Sequence, residues 1–448
     1  MRFARTATLA LCASLVFAQS VAADVISDWN VIAQANIGPG RPASVFGPTG
    51  PGGQIDLALM HLAMHDAVQA YEQRFETYSV PVQATSGSPI VAAAKAAHDV
   101  LAARLSPTPA VVGAVDAAYD AYIDGLSPVP SPEAISAGEQ VGAAAASNVL
   151  TNRRYSTTLF RFEDGSFPLL GHFNQFVGGT GLGEWRPNAN TPGMVAPWLG
   201  AVRPLAISTP ADVAPDSIPA LTSVEYAEAY NEVKNLGSEN STLRTTEQSQ
   251  VGRFFSGNPF AMYNRLLREL IAEHDNGGDL ASLGNHARGF ALMNMAAADA
   301  IVTAWQCKVD FNFWRPIHAI EHGNEDGNAL TAGDANWKGM VGTPNYPDYT
   351  SGFTNATGSM TQAMALYFGS DRPFEQLRLW LTAPGVPAQP GDPNPRIYKR
   401  FSDVQKDVID ARIYLGIHFR FADTEARSQG KRIANYVFRN MLAPIRAY

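Results

Sequence analysis

The sequence predicts an all-α protein, and three observations support that prediction. Apolar residues recur at the three- and four-residue spacing of an amphipathic helix in eight separate segments. Long runs of alternating β-branched residues, which are typical of strands, are missing. Hydrophobic residues make up 46% of the 448 residues and charged residues 17%, as in a globular protein that buries a sizeable core. The expected fold is a helical bundle with long Pro/Gly-rich loops.

The eight predicted helices follow one another with loops between them. They are residues 55–72, 89–105, 134–150, 223–236, 259–273, 287–305, 359–368 and 403–419. Proline and glycine cluster in residues 37–53, 165–215 and 382–395, which are predicted as long ordered loops over the helical core. The last of these contains five prolines and is also compatible with a flexible excursion. Because no linker separates two self-contained halves, residues 24–448 are predicted to form a single domain.

The first 23 residues have the pattern of a secretory signal peptide. Arg2 and Arg5 give the segment a positive start, residues 6–17 are apolar, and small residues end it at Ala23. The sequence therefore predicts cleavage near Ala23 and a secreted protein, periplasmic or extracellular. No later stretch reaches the about 18 uninterrupted apolar residues of a membrane-spanning helix.

The balance of charge narrows the classes of ligand. Lys and Arg number 33 against 41 Asp and Glu, which gives a net charge of −8. This acidic balance argues against nucleic acid, since phosphate backbones are bound by clustered basic side chains. A local basic pocket for a small anion remains compatible with it, because net charge does not describe one site. The expected partners are small molecules, and the oligomeric state is left open.

The first of three chemical motifs contains Lys308 and Arg315, followed by Pro316. On a continuous helix, residues seven apart lie on one face, about 10 Å apart along the axis, and Pro316 would end that helix. Two such cations can clamp one anion between them. The alternative interpretation is a solvated charged face. Aromatic neighbours such as Trp305 and Trp314 favour the anion, because unpaired charges are costly in an apolar setting.

The second motif is Ser351-Gly352 at the start of a helical pattern. Serine is a good N-cap, and glycine at a helix start permits close backbone approach. The free N–H groups at such a position form a natural anion site. A plain helix cap is the alternative interpretation.

The third motif pairs Arg412 with His418. Six residues place two side chains about 120° apart on an unbroken helix. Both therefore reach one ligand only if it lies between them or if Gly416 bends the chain. The alternative is that His418 is a core residue with satisfied hydrogen bonds.

Taken together and in this order, the three motifs resemble the vanadium-dependent haloperoxidase family. That family shares its site with the type 2 phosphatidic acid phosphatases and bacterial acid phosphatases. Residues 64–71, 245–250, 298–300, 305–320 and 416–423 are similar to its secreted bacterial branch. The resemblance implies an almost entirely helical fold, commonly two four-helix bundles, with the site between helices.

The resemblance also implies roles for individual residues. His418 falls where the family has the histidine that coordinates vanadate, or attacks phosphorus in the phosphatases. Three cations, two donors of a helix start and two aromatic residues near the halide complete the implied site; they are Lys308, Arg315, Arg412, Ser351, the N–H of Gly352, Trp305 and Tyr346. A multiply charged oxyanion needs such donors in a dry pocket, and neutral imidazole suits either chemistry.

Three departures from the family pattern affect proton transfer. Phe353 stands where the family has an acid–base histidine, and general acid–base catalysis typically contributes ~10² to 10⁴ in rate. An acid that often pairs with the last arginine is absent after residues 245–248. The family's acid four residues after the ligand histidine falls on Ala422, with Asp423 next to it. Asp348 and Tyr349 are candidate substitutes on sequence proximity alone.

Three functions follow as alternatives. The first is a vanadium-dependent haloperoxidase-like enzyme that uses peroxide to oxidise a halide at a vanadate bound by His418. The second is a phosphomonoester hydrolase that works through a phospho-histidine, with phosphate in the same pocket. The third is an oxyanion-binding protein with weak catalysis, which Phe353 favours. A minor further alternative is a zinc site, since His318, Glu321 and His322 match the H-x-x-E-H pattern of inverted zinc peptidases.

Overall fold

The computed structural model describes residues 24–37, 51–152, 176–189, 191, 193–274, 283–382 and 387–445. In these ranges the chain forms thirteen α-helices and one small antiparallel sheet, so the all-α prediction is confirmed. The helices are α1 (Val25–Asn36), α2 (Gly53–Glu72), α3 (Pro89–Arg104), α4 (Pro109–Asp124), α5 (Pro132–Asn152), α6 (Val224–Gly237), α7 (Thr246–Phe254), α8 (Pro259–His274), α9 (Leu283–Phe311), α10 (Pro316–Glu321), α11 (Gly352–Tyr367), α12 (Phe401–Tyr414) and α13 (Arg420–Asn440). The strands are β1 (Leu377–Leu379) and β2 (Arg396–Tyr398), with Arg378 opposite Ile397. The predicted signal peptide lies outside the described residues.

All eight predicted helices are present, with shifted ends. The start of α11 lies seven residues earlier than predicted, and α12 ends at Tyr414, so the predicted helix through residues 415–419 is wrong. Helices α1, α4, α7, α10 and α13 were not predicted from the spacing; α13 is mostly polar and shows only a narrow apolar stripe. Five helices begin at a proline, which has no N–H to leave unpaired and a backbone angle suited to the first helical turn.

The predicted loop over residues 382–395 lies between β1 and β2. Residues 383–386 are outside the described part. The rest is tied down, because the Leu381 N–H donates to Asn394 Oδ1 (3.0 Å) and Arg253 Nε donates to Asp392 Oδ2 (2.7 Å). The described part of this loop is therefore ordered. In the predicted loop over residues 165–215, the described part includes two short 3₁₀ helices, Pro197–Ala201 and Pro210–Val213.

Helix α9 is the central element of the fold. Its 29 residues pack against α2 on one side and against α11 and α13 on the other. Helices α2, α3 and α5 form the first group, in which Gly142 brings α5 against α3: a Cβ at Gly142 would lie 2.3 Å from the Ala92 carbonyl oxygen. One cluster of buried apolar side chains extends from this group through α9 to α11, α12 and α13.

The single domain over residues 24–448 stays a prediction. Among the described helices, none combines the length and hydropathy that crossing a bilayer would take.

Helices α11 and α13 lie side by side and begin at the same place. Near their starts, the Ser351 N–H donates to the Ala422 carbonyl (3.3 Å); further along, Gln362 Nε2 donates to Asn435 Oδ1 (3.5 Å). The backbones touch where glycines face them, since a Cβ at Gly430 would lie 2.3 Å from the Asn355 carbonyl oxygen. The two helices are thus parallel, and the positive ends of both helix dipoles meet where Ser351 and His418 lie.

The paired histidines of α2 are structural. His61 is fully buried, stacks on Phe290 with ring centroids 5.0 Å apart, and accepts at Nε2 from Asn30 Nδ2 (2.7 Å). His65 Nε2 lies 3.1 Å from the Glu76 carbonyl oxygen. Burial lowers the pKa of His61 to about 3 and that of His65 to about 4. Both imidazoles are therefore neutral in the folded protein over the physiological pH range.

The lowered pKa values of His61 and His65 predict that the folded protein loses stability as the pH falls. Their folded pKa values lie below the unfolded value of about 6.5, so below that pH the unfolded chain binds more protons and stability falls as pH falls. Each histidine should contribute a slope of about 1.4 kcal/mol per pH unit once the pH is well below 6.5. Urea unfolding at several pH values between 6 and 4 measures that slope. His61→Gln should reduce the pH dependence of the unfolding free energy by about 1.4 kcal/mol per pH unit. An unchanged slope would contradict this interpretation.

Candidate active site

The first motif does not lie on one helix, so that expectation from the sequence is wrong. Helix α9 ends at Phe311, and Asn312 follows in a left-handed conformation with φ 45°. Arg315 has extended backbone and is the N-cap of α10, with Pro316 as the first residue. The physical reason is that Pro316 starts a new helix instead of ending the old one. Lys308 and Arg315 nevertheless both contact residues 346–350.

Lys308 is fully buried and holds the segment that precedes α11. Its ammonium donates to three backbone carbonyls, of Pro347 (2.8 Å), Asp348 (3.1 Å) and Thr350 (2.6 Å). It also lies 5.0 Å from the ring centroid of Tyr346. Burial, with the nearby Arg315 charge, lowers the pKa of Lys308 well below its usual value. Lys308 therefore fixes the backbone around Asp348.

Arg315 is fully buried at the centre of the site. Its Nε donates to the Tyr346 carbonyl (2.7 Å) and its Nη1 to the Ile417 carbonyl (2.6 Å). Its guanidinium carbon lies 4.7 Å from the ring centroid of Tyr346. Its Nη2 is buried and has no hydrogen-bond acceptor among the described residues. A buried guanidinium nitrogen without an acceptor is costly unless an anion completes the site.

His418 lies in a short connection between α12 and α13. Of the two arrangements left open for Arg412 and His418, the structure shows the bend: Gly416 has φ 76° and follows the end of α12. A side chain there would also clash, since a Cβ would lie 2.5 Å from the Gly237 carbonyl oxygen. This bend brings His418, only 1% exposed, next to Arg315.

The imidazole of His418 is oriented by Asp348. His418 Nδ1 lies 2.7 Å from Asp348 Oδ1, and the Phe419 N–H donates to Asp348 Oδ2 (3.4 Å). A carboxylate accepts at this position, so the Nδ1 nitrogen carries the proton and the lone pair is on Nε2. The Nε2 atom lies 3.2 Å from Arg315 Nη1. The same Arg315 nitrogen lies 3.4 Å from Nδ1, so the guanidinium contacts the edge of the ring that carries both nitrogens, and the lone pair on Nε2 accepts from it.

The pKa values of this pair move in opposite directions. Burial, followed by the charges of Arg315, Lys308 and Arg412, lowers the pKa of His418 well below its usual value. Burial raises the pKa of Asp348 to about 7, although Arg315 and Lys308 oppose that shift. A neutral imidazole is the form that can act as a ligand or a nucleophile.

Arg412, from α12, closes another side of the site. Its Nη1 donates to the Phe255 carbonyl (3.0 Å), and its guanidinium carbon lies 4.8 Å from the ring centroid of Phe353. Its Nε is buried and has no acceptor in the described part of the chain. The backbone carbonyl of Phe255 thus contacts Arg412 in the segment where the sequence lacks the expected acid.

Ser351 is the N-cap of α11, as predicted, but its hydroxyl does not cap the helix. The hydroxyl donates to Thr354 Oγ1 (3.3 Å), whose own hydroxyl donates to Asp423 Oδ1. Gly352 begins the helix, so the first-turn N–H groups have no partner within it. A Cβ at Gly352 would lie 2.8 Å from Trp305 Cζ3, so this position requires glycine.

Asp423 is a second buried carboxyl group that the sequence pattern did not single out. It accepts from Thr354 Oγ1 across the α11–α13 contact. Burial raises the pKa of Asp423 to about 6, while Thr354, Ser351 and Arg412 lower it in part. In the sequence, the one indication of a role for Asp423 was that it follows Ala422, the position where the family has an acid. An acid with this pKa can donate or accept a proton near neutral pH.

Five of the predicted residues also line one cavity of about 300 Å³. They are Trp305, Tyr346, Gly352, Phe353 and Arg412. The rings of Trp305 and Tyr346 are 5.1 Å apart, and Phe353 packs edge-on against Phe255. The other four, Lys308, Arg315, Ser351 and His418, are buried and are not part of its lining. For the zinc alternative, no three His, Cys, Asp or Glu side chains of the described ranges are grouped to hold a metal ion.

The all-helical fold thus brings a buried histidine, three cations and the start of a helix together, as a site for an oxyanion would require. Residues 288–447, which carry these groups, match the family model of the VCPO second helical-bundle domain. The vanadium chloroperoxidase of Curvularia inaequalis is 26% identical over 254 residues, which are 46% of this chain and 41% of that protein. The chain therefore matches less than half the length of this curated relative.

Solved structures show the same fold along nearly the whole chain. The first bacterial vanadium-dependent iodoperoxidase aligns with a TM-score of 0.68 at 19% identity, over 94% of this chain and 96% of that one. An apo-type bacterial vanadium-dependent chloroperoxidase aligns with a TM-score of 0.70 at 17% identity, over 92% and 96%. The resemblance to the vanadium-dependent haloperoxidase family is thus confirmed, and the fold is that of this family.

Proposed function

We propose that this protein is a vanadium-dependent haloperoxidase-like enzyme, exported from the cell, that uses peroxide to oxidise a halide. His418 would hold vanadate through Nε2, and Arg315, Arg412, Ser351 and the Gly352 N–H would bind its oxygens. Lys308 would neutralise its charge. Bound vanadate supplies a Lewis-acid centre that activates peroxide towards the halide.

One observation carries this proposal: buried guanidinium donors without acceptors lie beside His418, whose Nε2 contacts only Arg315 among the described residues. Arg315 Nη2 and Arg412 Nε have no acceptor among the described residues, and His418 Nε2 lies 3.2 Å from Arg315 Nη1. Each unpaired buried donor costs about 1 to 3 kcal/mol, and more for a charged group. A tetrahedral oxyanion would satisfy these donors together, so the residues present fit vanadate.

Other residues orient His418, transfer protons, bind the halide and exclude water in this proposal. Asp348 keeps the His418 proton on Nδ1, and Lys308 keeps Asp348 in place through three backbone carbonyls. Asp423, linked to Ser351 through the Thr354 hydroxyl, is the proposed proton carrier in place of the missing acid–base histidine. Trp305 and Tyr346 would flank the halide. The burial of His418 and Arg315 excludes bulk water, which strengthens each charge–anion contact.

A paired assay tests this function. The purified protein, loaded with orthovanadate, is assayed for peroxide-dependent bromide oxidation, and the vanadate-free protein is assayed for phosphate release from an aryl phosphate. Bromide oxidation without phosphate release is the expected result. Phosphate release alone would favour the phospho-histidine hydrolase, and tight vanadate binding with neither activity would favour the oxyanion-binding protein.

Phe353→His should raise the native activity. The ring of Phe353 faces the Arg412 guanidinium, and an imidazole at this position would add a proton-transfer group beside the oxyanion residues. General acid–base groups contribute ~10² to 10⁴ in rate, so we expect at least a tenfold increase in kcat. Steady-state kinetics of bromide oxidation measures it.

Phe353→Leu is the matched control, because it removes the ring without adding a proton-transfer group. Its kcat should not exceed that of the wild type. No increase in the histidine variant, or an equal increase in both variants, would contradict the assignment of Phe353 as the missing acid–base position.

A further inference from the structure

Gln429 is a buried glutamine of α13 that has no part in the site described above. It is 0% exposed, and both ends of its carboxamide are engaged. Its Nε2 donates to the Val213 carbonyl (3.1 Å) and to Cys307 Sγ (3.5 Å). Its Oε1 accepts from Asn355 Nδ2 (2.6 Å) and from Thr350 Oγ1 (2.9 Å). One side chain of α13 thus contacts α9, α11, the second 3₁₀ helix and the segment that precedes α11.

The orientation of the Gln429 carboxamide is fixed by the Val213 carbonyl. A backbone carbonyl can only accept, so Gln429 must turn its nitrogen towards Val213. The amide oxygen then faces Thr350, whose hydroxyl is the donor of the 2.9 Å contact. Gln429 therefore holds the Thr350 hydroxyl in one direction.

Thr350 is held from two sides. It is fully buried; its carbonyl accepts from Lys308 Nζ (2.6 Å), and its hydroxyl donates to Gln429 Oε1. Asp348, which orients the imidazole of the candidate active site, lies two residues earlier, and Ser351, the N-cap of α11, follows directly. A shift of Thr350 would therefore displace both the imidazole-orienting carboxylate and the start of α11.

We propose that Gln429 is a positioning residue that fixes Thr350 through the threonine hydroxyl. It thereby sets where Ser351 and Gly352 lie relative to His418. A buried polar network in which each member is bonded specifies one arrangement of the core, and a displacement of about 1 Å in a site can cost ~10² in rate. That vanadate is the ligand rests on the proposed function, whereas the fixing of the segment before α11 does not.

Calorimetric titration with orthovanadate, together with hydrogen exchange of the vanadate-free protein, tests the proposal. Gln429→Leu keeps nearly the same shape without a hydrogen-bonding group. It should weaken vanadate binding about tenfold or more and speed amide exchange over residues 346–353. Thr350→Val is a milder variant, because Gln429 Oε1 keeps its hydrogen bond with Asn355. It should weaken binding to a similar extent, whereas Thr350→Ser, which keeps the hydroxyl, should bind vanadate nearly as the wild type does.

A double variant and a matched control separate this role from a general loss of stability. If the effect passes through the threonine hydroxyl, Gln429→Leu should add little to the loss in the Thr350→Val protein. For the control, Gln405 is 4% exposed, and its Nε2 donates to Thr361 Oγ1 (2.9 Å) further along α11. Gln405→Leu should lower the thermal midpoint but keep the vanadate affinity and the exchange of residues 346–353.

Wild-type vanadate affinity in the Thr350→Val protein, additive losses in the double variant, or an equal loss in the Gln405→Leu protein would overturn the proposal. If the wild type itself binds no vanadate, the proposed function fails, and hydrogen exchange alone decides the role of Gln429. Faster exchange over residues 346–353 in the Gln429→Leu and Thr350→Val proteins would then support it, and unchanged exchange would overturn it.

Discussion

His418→Ala is expected to abolish peroxide-dependent bromide oxidation while leaving the protein folded. The imidazole supplies Nε2, the proposed vanadate ligand next to Arg315, and alanine offers no ligand in its place. Loss of a residue that binds the reacting centre costs about 10³-fold or more in kcat. Vanadate binding by the variant should be lost in the same titration. Steady-state kinetics and calorimetry measure the two effects.

His61→Ala is the matched control, since His61 is an equally buried histidine that serves the core. It should lower the thermal midpoint, because it removes one of the hydrogen bonds of Asn30 Nδ2 and opens a cavity beside Phe290. The remaining folded protein should keep its kcat. If His418→Ala instead unfolds the protein, or retains activity, His418 is a core histidine and not the vanadate ligand.

Asp348→Ala is expected to have the second largest effect. Asp348 Oδ1 lies 2.7 Å from His418 Nδ1, and without it neither ring nitrogen is held in the protonated state. We expect kcat to fall about 10² to 10⁴-fold, the range in which a group acting through the catalytic histidine contributes. The ¹⁵N shifts of His418 should show protonated Nδ1 in the wild type and a mixture of tautomers in the variant.

A double variant separates this positioning role from a structural one. If Asp348 acts through His418, then Asp348→Ala should cost nothing further in activity once His418 is alanine. Additive losses, or an unchanged tautomer in the single variant, would contradict the role. Asp348 also accepts from the Phe419 N–H and contacts Arg315. The double variant therefore distinguishes an effect on His418 from an effect on these two neighbours.

Helical periodicity was sufficient for the fold class but not for every helix. The spacing predicted α2, α3 and α5 to within a few residues, because each buries one continuous apolar face. It missed α13, whose polar sequence is held by close contact with α11 at Gly430. Such contact depends on the partner helix, which a local pattern does not contain.

For the site, the residue types were predictable and their arrangement was not. Arg315 was expected on the helix of Lys308, but the chain turns at Asn312 and Pro316 begins a new helix. A bend at Gly416 was one of two arrangements left open for His418, and the structure has that bend. Glycine permits such a turn but does not require it, so the sequence alone left the choice open.

The contacts of the two buried carboxyl groups, Asp348 and Asp423, could not be predicted from the sequence. Asp348 was a candidate on proximity alone, and its contact with His418 spans 70 residues of chain. Asp423 was noted only as the neighbour of Ala422, yet its carboxylate accepts a hydrogen bond from Thr354. Both contacts arise from the parallel packing of α11 and α13, a tertiary feature. They supply buried acids in a site whose sequence lacks the usual histidine at Phe353.

A crystal structure of the protein soaked with orthovanadate, with anomalous scattering to locate vanadium, tests the central claim most directly. We predict a single vanadium within bonding distance of His418 Nε2, with its oxygens facing Arg315 Nη2 and Arg412 Nε. Vanadium bound elsewhere, or none at saturating vanadate with His418 still packed against Arg315, would contradict it.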